Sequence, residues 1–208
     1  MMKYEEKLKN REYRNMTLET RAEEEGMIAE GYATTFNDPY LLYSEPGFEI
    51  YEEVDSHAFD DCDMSDVIMQ YDHRGRVFAR NKNNTLTCEP DEKGLHIRAD
   101  LSGTDIGRQL YQEIKGGYTD KMSYGYTVRK DERKEVYDRD TDITRIYRTV
   151  LEIAKLYDVS AVSLPANEGT SISARNYCDG VIAEVKAERQ RAEERKAEID
   201  RIKLLIEV

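Results

Sequence analysis

The chain has no tryptophan, and only three cysteines, three histidines and four prolines in 208 residues. Each shortage narrows the field. Cys62, Cys88 and Cys178 are odd in number and far apart, with no C-x-x-C pair. They argue against a disulfide framework and for reduced thiols in a cytoplasmic setting. No run approaches the roughly 18 apolar residues that a membrane span needs. The opening Met1-Met-Lys-Tyr-Glu-Glu-Lys-Leu-Lys-Asn10 also lacks the apolar stretch of a signal peptide. The expectation is a soluble, intracellular protein. Positive charge is scarce as well, with 31 Lys and Arg against 43 Asp and Glu and a net charge of -12. That balance disfavours a general nucleic-acid or anionic-membrane binder, because both need basic surface. Proteins are the expected partners.

Charged residues make up 36% and hydrophobic ones 39%, so the core is expected to occupy part of the chain between charged ends. Residues 1–15 read as a loose arm or short helix. A β-rich α+β domain is expected over residues 16–176, followed by a polar helix over 177–208. Strand-like runs are Met27–Phe36, Phe48–Val54, Val67–Tyr71 and Leu95–Leu101. Tyr43–Gly47 reads as a loop, and Val77–Ala79 with Asn84–Cys88 as a hairpin. Thr104 or Ser102 caps a helix whose stripe is Ile106, Leu110, Tyr111 and Ile114, stopped by Gly116-Gly117. Arg129–Arg145 reads as an exposed hairpin tip, and Ile146–Ile153 and Leu156–Leu164 as the last strands. From Val181 the charges of both signs interleave around a broken apolar stripe, as in a solvated or partner-docking helix.

The chemistry centres on Asp120-Lys-Met-Ser-Tyr-Gly-Tyr-Thr-Val128. As a strand it places Met122, Tyr124, Tyr126 and Val128 on one face and Ser123, Gly125 and Thr127 on the other. A serine hydroxyl needs a base to become a nucleophile. His73 follows the apolar run Val67–Tyr71 and is placed to be that base across a sheet. Asp158 lies in the apolar strand Leu156–Leu164, on a face with Leu156, Ser160, Val162 and Leu164, and needs a partner if buried. The residues alone leave bland alternatives open. Ser123 can be structural, His73 a satisfied core or surface histidine, and Asp158 half of an ion pair with an arginine. The G-x-S-x-G elbow of α/β-hydrolases is absent. His57 with Asp60-Asp-Cys-Asp63 reads as a solvated turn, and His96 as exposed. Asp138-Arg-Asp-Thr-Asp142 lacks the glycine and glutamate of a calcium loop, having Ile143 and Thr149 in their places.

Several motifs together resemble the prohead (capsid-maturation) serine proteases of tailed bacteriophages. They are Gly31-Tyr-Ala-Thr-Thr-Phe-Asn37, His57-Ala-Phe59, Tyr71-Asp-His73, Asn84-Thr-Leu86, Gly94-Leu95, Thr104–Gly107, Met122-Ser-Tyr-Gly-Tyr126, Asp158-Val-Ser-Ala-Val162 and Pro165-Ala166. The likeness runs over about residues 27–175. It implies a small assemblin-like β-barrel flanked by helices, with Ser123 as nucleophile, His73 as base and an acid at Asp158, Glu152 being the runner-up. It further implies no cofactor and no metal. The implied substrates are a scaffolding protein and the scaffolding segment of the major capsid protein, cut inside the assembling shell, with self-association into a dimer as in assemblins. An inactive scaffolding factor that keeps the barrel is the rival reading.

Overall fold

Alternating apolar residues build about half of the described residues into strands. The computed structural model describes residues 11–17, 21–23, 26–162 and 172–206. The chain falls into two compact units, Met1–Ala174 and Arg175–Val208. In the first, the strands are β1 (Glu12–Thr17), β2 (Arg21–Glu23), β3 (Ile28–Thr35), β4 (Tyr40–Glu45), β5 (Phe48–Val54) and β6 (Ile68–Tyr71). They continue as β7 (Arg74–Arg80), β8 (Leu86–Pro90), β9 (Gly94–Asp100), β10 (Lys121–Asp138) and β11 (Ile143–Val162). One helix, α1 (Asp105–Lys115), interrupts them, and a second, α2 (Ile172–Ile206), begins at the end of the first unit and forms the second from Arg175 onward.

Two sheets result. A seven-stranded sheet runs β1-β10-β11-β5-β4, with β6 also on β11 and β7 on β6; a four-stranded sheet runs β2-β3-β9-β8. Strand β11 is long enough to serve three partners. Along one edge it pairs antiparallel with β10. Along the other it takes β5 in its first half and β6 in its second, both parallel. The two sheets share one apolar core, in which Tyr124 and Tyr126 of β10 join Leu95, Ile97 and Ala99 of β9 and Met69 of β6. Helix α1 adds Leu110, Tyr111 and Ile114 to that core. Its Thr104 hydroxyl caps the first turn by accepting from Gly107 N at 3.0 Å. Gly117, at φ 72°, releases the chain from its end.

Several expectations need correction. The closed barrel is not formed among the described residues, because the two sheets are hydrogen-bonded separately. The chain leaves the first sheet through a 3-10 turn at Asn81–Asn83. Asn81 ties that turn to the start of β6, accepting from Val67 N at 3.0 Å and donating to Met64 O at 2.6 Å. For the same reason β7 and β8 are not a hairpin: β7 pairs with β6, and β8 with β9. Part of the expected N-terminal arm is strand β1, and Tyr43 belongs to strand β4, not to a loop. The last two expected strands are one, β11, and α2 begins at Ile172, upstream of Val181. Residues Leu164, Pro165 and Ala166 lie outside the described residues.

Candidate active site

The sheet register sets out the site as rungs across three strands. Tyr13 of β1 lies opposite Gly125 of β10, which lies opposite Asp158 of β11. On that face the next pair is Ser123 and Ser160, with Asn15 of β1 in register opposite Ser123. The pairing shifts between Gly125 and Tyr126, leaving Tyr157 as the extra residue of a β-bulge on β11. This bulge corrects the expected face of Asp158. Leu156 pairs with core Tyr126, whereas Asp158 pairs with Gly125. Asp158 therefore shares a face with Ser123 and Ser160 and not with Leu156.

Gly125 is required by the closeness of its neighbours. A Cβ there would stand 2.5 Å from Asp158 Oδ2 and 2.7 Å from Tyr13 Cε1. Without it, the carboxylate and the tyrosine ring occupy the space on either side.

His73 arrives from the β6–β7 hairpin. Tyr71 pairs with Arg74, so Asp72 and His73 form a two-residue turn. Their φ values of 48° and 56° are both left-handed. This is the backbone of the hairpin turn in which glycine or asparagine is usual, and a non-glycine pair there stores strain of the kind found at functional sites. Asp72 N donates to Ala161 O at 3.0 Å, anchoring the turn to β11. From there the imidazole reaches over the rungs. Its Nε2 lies 2.7 Å from Ser123 Oγ, and its Nδ1 is hydrogen-bonded to Asp158 Oδ1. Ser160 Oγ donates to the same carboxylate oxygen at 2.9 Å. The Tyr13 ring meets the imidazole edge-on, with centroids 4.4 Å apart. Arg11 Nη1 stands 3.6 Å from Asp158 Oδ2.

Ser123 and Asp158 are buried, while the His73 side chain keeps 17% of its surface exposed. The Ser123 hydroxyl has two acceptors within reach: His73 Nε2 and, at 2.8 Å, the Arg14 carbonyl. An imidazole whose Nδ1–H is held by a carboxylate presents Nε2 as an acceptor. Rotation of one hydroxyl hydrogen from the Arg14 carbonyl to Nε2 thus aligns serine, histidine and aspartate for proton transfer.

The other candidates lie elsewhere. Glu152, opposite Lys130 in the β10–β11 ladder, is 3.9 Å from Arg129 and half exposed. His57 is exposed and bonded to Asp60 at 3.0 Å; His96 packs edge-on against Tyr32. Sequence reasoning missed Tyr13 and Arg11, which sit in a stretch with no periodicity to mark them. Ser160 was legible as a neighbour of Asp158 on one strand face, and its bond to the carboxylate is what the structure adds.

Behind the rungs, on the opposite face, a charged cluster holds β1 in place. Arg14 donates to both oxygens of Glu52, at 2.6 and 2.9 Å, and to Glu12 at 2.5 Å. Arg148 bridges Glu52 and Glu12 at 2.7 Å each, and Tyr40 donates to Glu52 at 2.6 Å. Burial alone would raise the Glu52 carboxyl. Arg14 and Arg148 outweigh it and hold the group at about 2.

A sequence model of the caudovirus prohead serine protease family matches residues 16–181. The chain belongs to that family. His73, Ser123, Asp158 and Ser160 fall inside the region shared with the prohead proteases, and Arg11, Tyr13 and Arg14 precede it. The prohead protease of Enterobacteria phage HK97 is 29% identical over 155 residues, which is 74% of this chain and 62% of that relative. The match thus covers less than two thirds of the relative's length. No solved structure gives a significant match.

Proposed function

We propose that this prohead-protease family member is a serine endopeptidase of capsid maturation, with residues 16–176 as its catalytic part. The observation that carries the reading is His73 Nε2 at 2.7 Å from Ser123 Oγ while Nδ1 is bonded to buried Asp158. In this reading His73 takes the Ser123 proton as Oγ attacks a peptide carbonyl, and then returns it to the leaving amine. Water, deprotonated by the same imidazole, hydrolyses the acyl-enzyme. Asp158 holds the Nδ1–H tautomer and stabilises the imidazolium; Ser160 holds Asp158. The substrates we propose are a scaffolding protein and the N-terminal scaffolding segment of the major capsid protein, cut inside the assembling shell in the host cytoplasm. The family match and the named HK97 relative support this assignment, and dimerisation is proposed on the assemblin-like resemblance alone.

Co-expression with the capsid and scaffolding proteins of the same phage tests it. Intact mass spectra of wild type and Ser123→Ala are compared. Cleavage in the wild type alone is expected, with fragment masses reporting the cut site. Equal processing by both proteins would overturn the assignment of Ser123. Shells that form with no processing by either would favour an inactive assembly factor.

A further inference from the structure

Beside His73 lies a cleft of about 760 Å³ whose charge runs against that of the molecule. Arg11, Arg74, Arg80 and Lys155 line it, against the single carboxylate of Asp66, in a protein of net charge -12. Part of this charge is already matched. Arg80 forms a two-point pair with Asp66 at 2.7 and 2.6 Å, and Lys155 reaches Asp63 at 2.5 Å. Arg11 lies over the Tyr157 ring, 3.7 Å from its centroid, with Asp158 beyond. Arg74 is exposed, follows His73 directly, and has no ion-pair partner among the described residues. The cleft also presents few apolar groups, Ile68 and Val77 among them, so burial of a large hydrophobic side chain is not what it offers. A guanidinium with no ion-pair partner, lining the same cleft as the His73 imidazole, is suited to a carboxylate, which it can bind through two parallel hydrogen bonds.

We propose that this cleft selects acidic side chains of the peptide substrate next to the scissile bond, with Arg74 as the main contact and Arg11 as its support. The proposal rests on the protease reading above and names the substrate class of that same site. A lysine at the same substrate position meets like charge and is rejected.

The test has two arms on the full chain. Wild-type enzyme digests hexapeptide mixtures in which one position at a time is fixed as Glu, Gln or Lys, and products are sequenced by mass spectrometry. In parallel, Ser123→Ala binds the same mixtures, read by fluorescence anisotropy. Glu is expected to be preferred over Gln by about tenfold at one position near the cut, as for one charge-assisted contact. The preference should shrink as salt is raised. Arg74→Gln should remove it, Arg74→Lys should retain part of it, and Arg74→Glu should turn it towards Lys. Ser123-dependent cleavage with equal use of Glu and Gln would overturn the cleft proposal and leave the protease standing. Glu-selective, Arg74-dependent binding without any Ser123-dependent cleavage would instead overturn the protease reading. Absence of both would overturn the two together.

Discussion

At the residue scale, the site depends on a few atoms that admit no enlargement. Gly125 leaves room for Asp158 on one side and Tyr13 on the other. Gly125→Ala should therefore push the carboxylate off Nδ1 and cost about 1–3 kcal/mol from overpacking. Cleavage should fall far more than the thermal midpoint suggests, and a kinetic assay beside a melting curve separates the two effects. Asp158→Asn keeps the shape but loses the charge that holds the imidazole tautomer. A loss of about 10⁴-fold in kcat, with KM little changed, is expected by analogy with other triads. Equal kcat in the variant would remove Asp158 from the mechanism. The pairing of Ser123 with His73 was legible from the sequence as a strand serine and a strand-end histidine. Asp158 was legible as an acid in an apolar strand that needs a partner, with an ion pair to an arginine left open beside the histidine. Strict alternation puts Asp158 on the face of Leu156, because a bulge at Tyr157 leaves no mark in apolar periodicity.

At the element scale, two features aim the site. The first is the Asp72-His73 turn, left-handed at both residues. Asp72→Val should be less stable than Asp72→Gly by about 1–2 kcal/mol, the penalty for a Cβ in that conformation. Asp72→Gly should retain the fold and the His73 position. Urea midpoints of Asp72→Val and Asp72→Gly compare them directly. The second is the Glu52 cluster, which joins β1 to β5 and β11 behind Tyr13. Glu52 has its folded carboxyl at about 2 against an ordinary 4.5. A lowered carboxyl stabilises the fold above the ordinary value, and that contribution is lost as pH falls from 4.5 towards 2. Wild type should lose stability over that window, and Glu52→Gln should lack that component of the pH dependence. At neutral pH the variant should be weaker by about 3–5 kcal/mol, because Arg14 and Arg148 lose their buried counter-charge. Melting temperatures from pH 7 to pH 2 check both. Nothing in the sequence marked Glu52, Arg14 or Arg148, since charged residues on strands usually read as solvent-facing.

At the scale of the whole molecule, the two sheets share one core and should unfold together. Tyr124 and Tyr126 stand between them, both fully buried. Tyr124→Ala should cost about 3–5 kcal/mol, as large aromatic truncations do. Urea transitions followed by far-UV circular dichroism and by tyrosine fluorescence should coincide for the strand unit. With no tryptophan, the fluorescence comes from the 15 tyrosines, of which Tyr111, Tyr124 and Tyr126 are buried in the shared core. Two separated transitions would mean that the sheets hold together independently. No helix among the described residues is long and apolar enough to cross a membrane.

What the sequence determined by itself is local: strand periodicity, the capped helix α1, the Gly117 stop, a serine on a strand and a histidine at the end of an apolar run. Short-range sterics and side-chain alternation decide these, and both are written within a few residues. The tertiary structure alone decided the rest. It set which strands pair, carried β7 away from β8, placed a bulge that turns Asp158 towards His73, and brought β1 over the site from what had read as a loose arm. These outcomes depend on contacts between residues far apart in the chain, whose energies no local window contains.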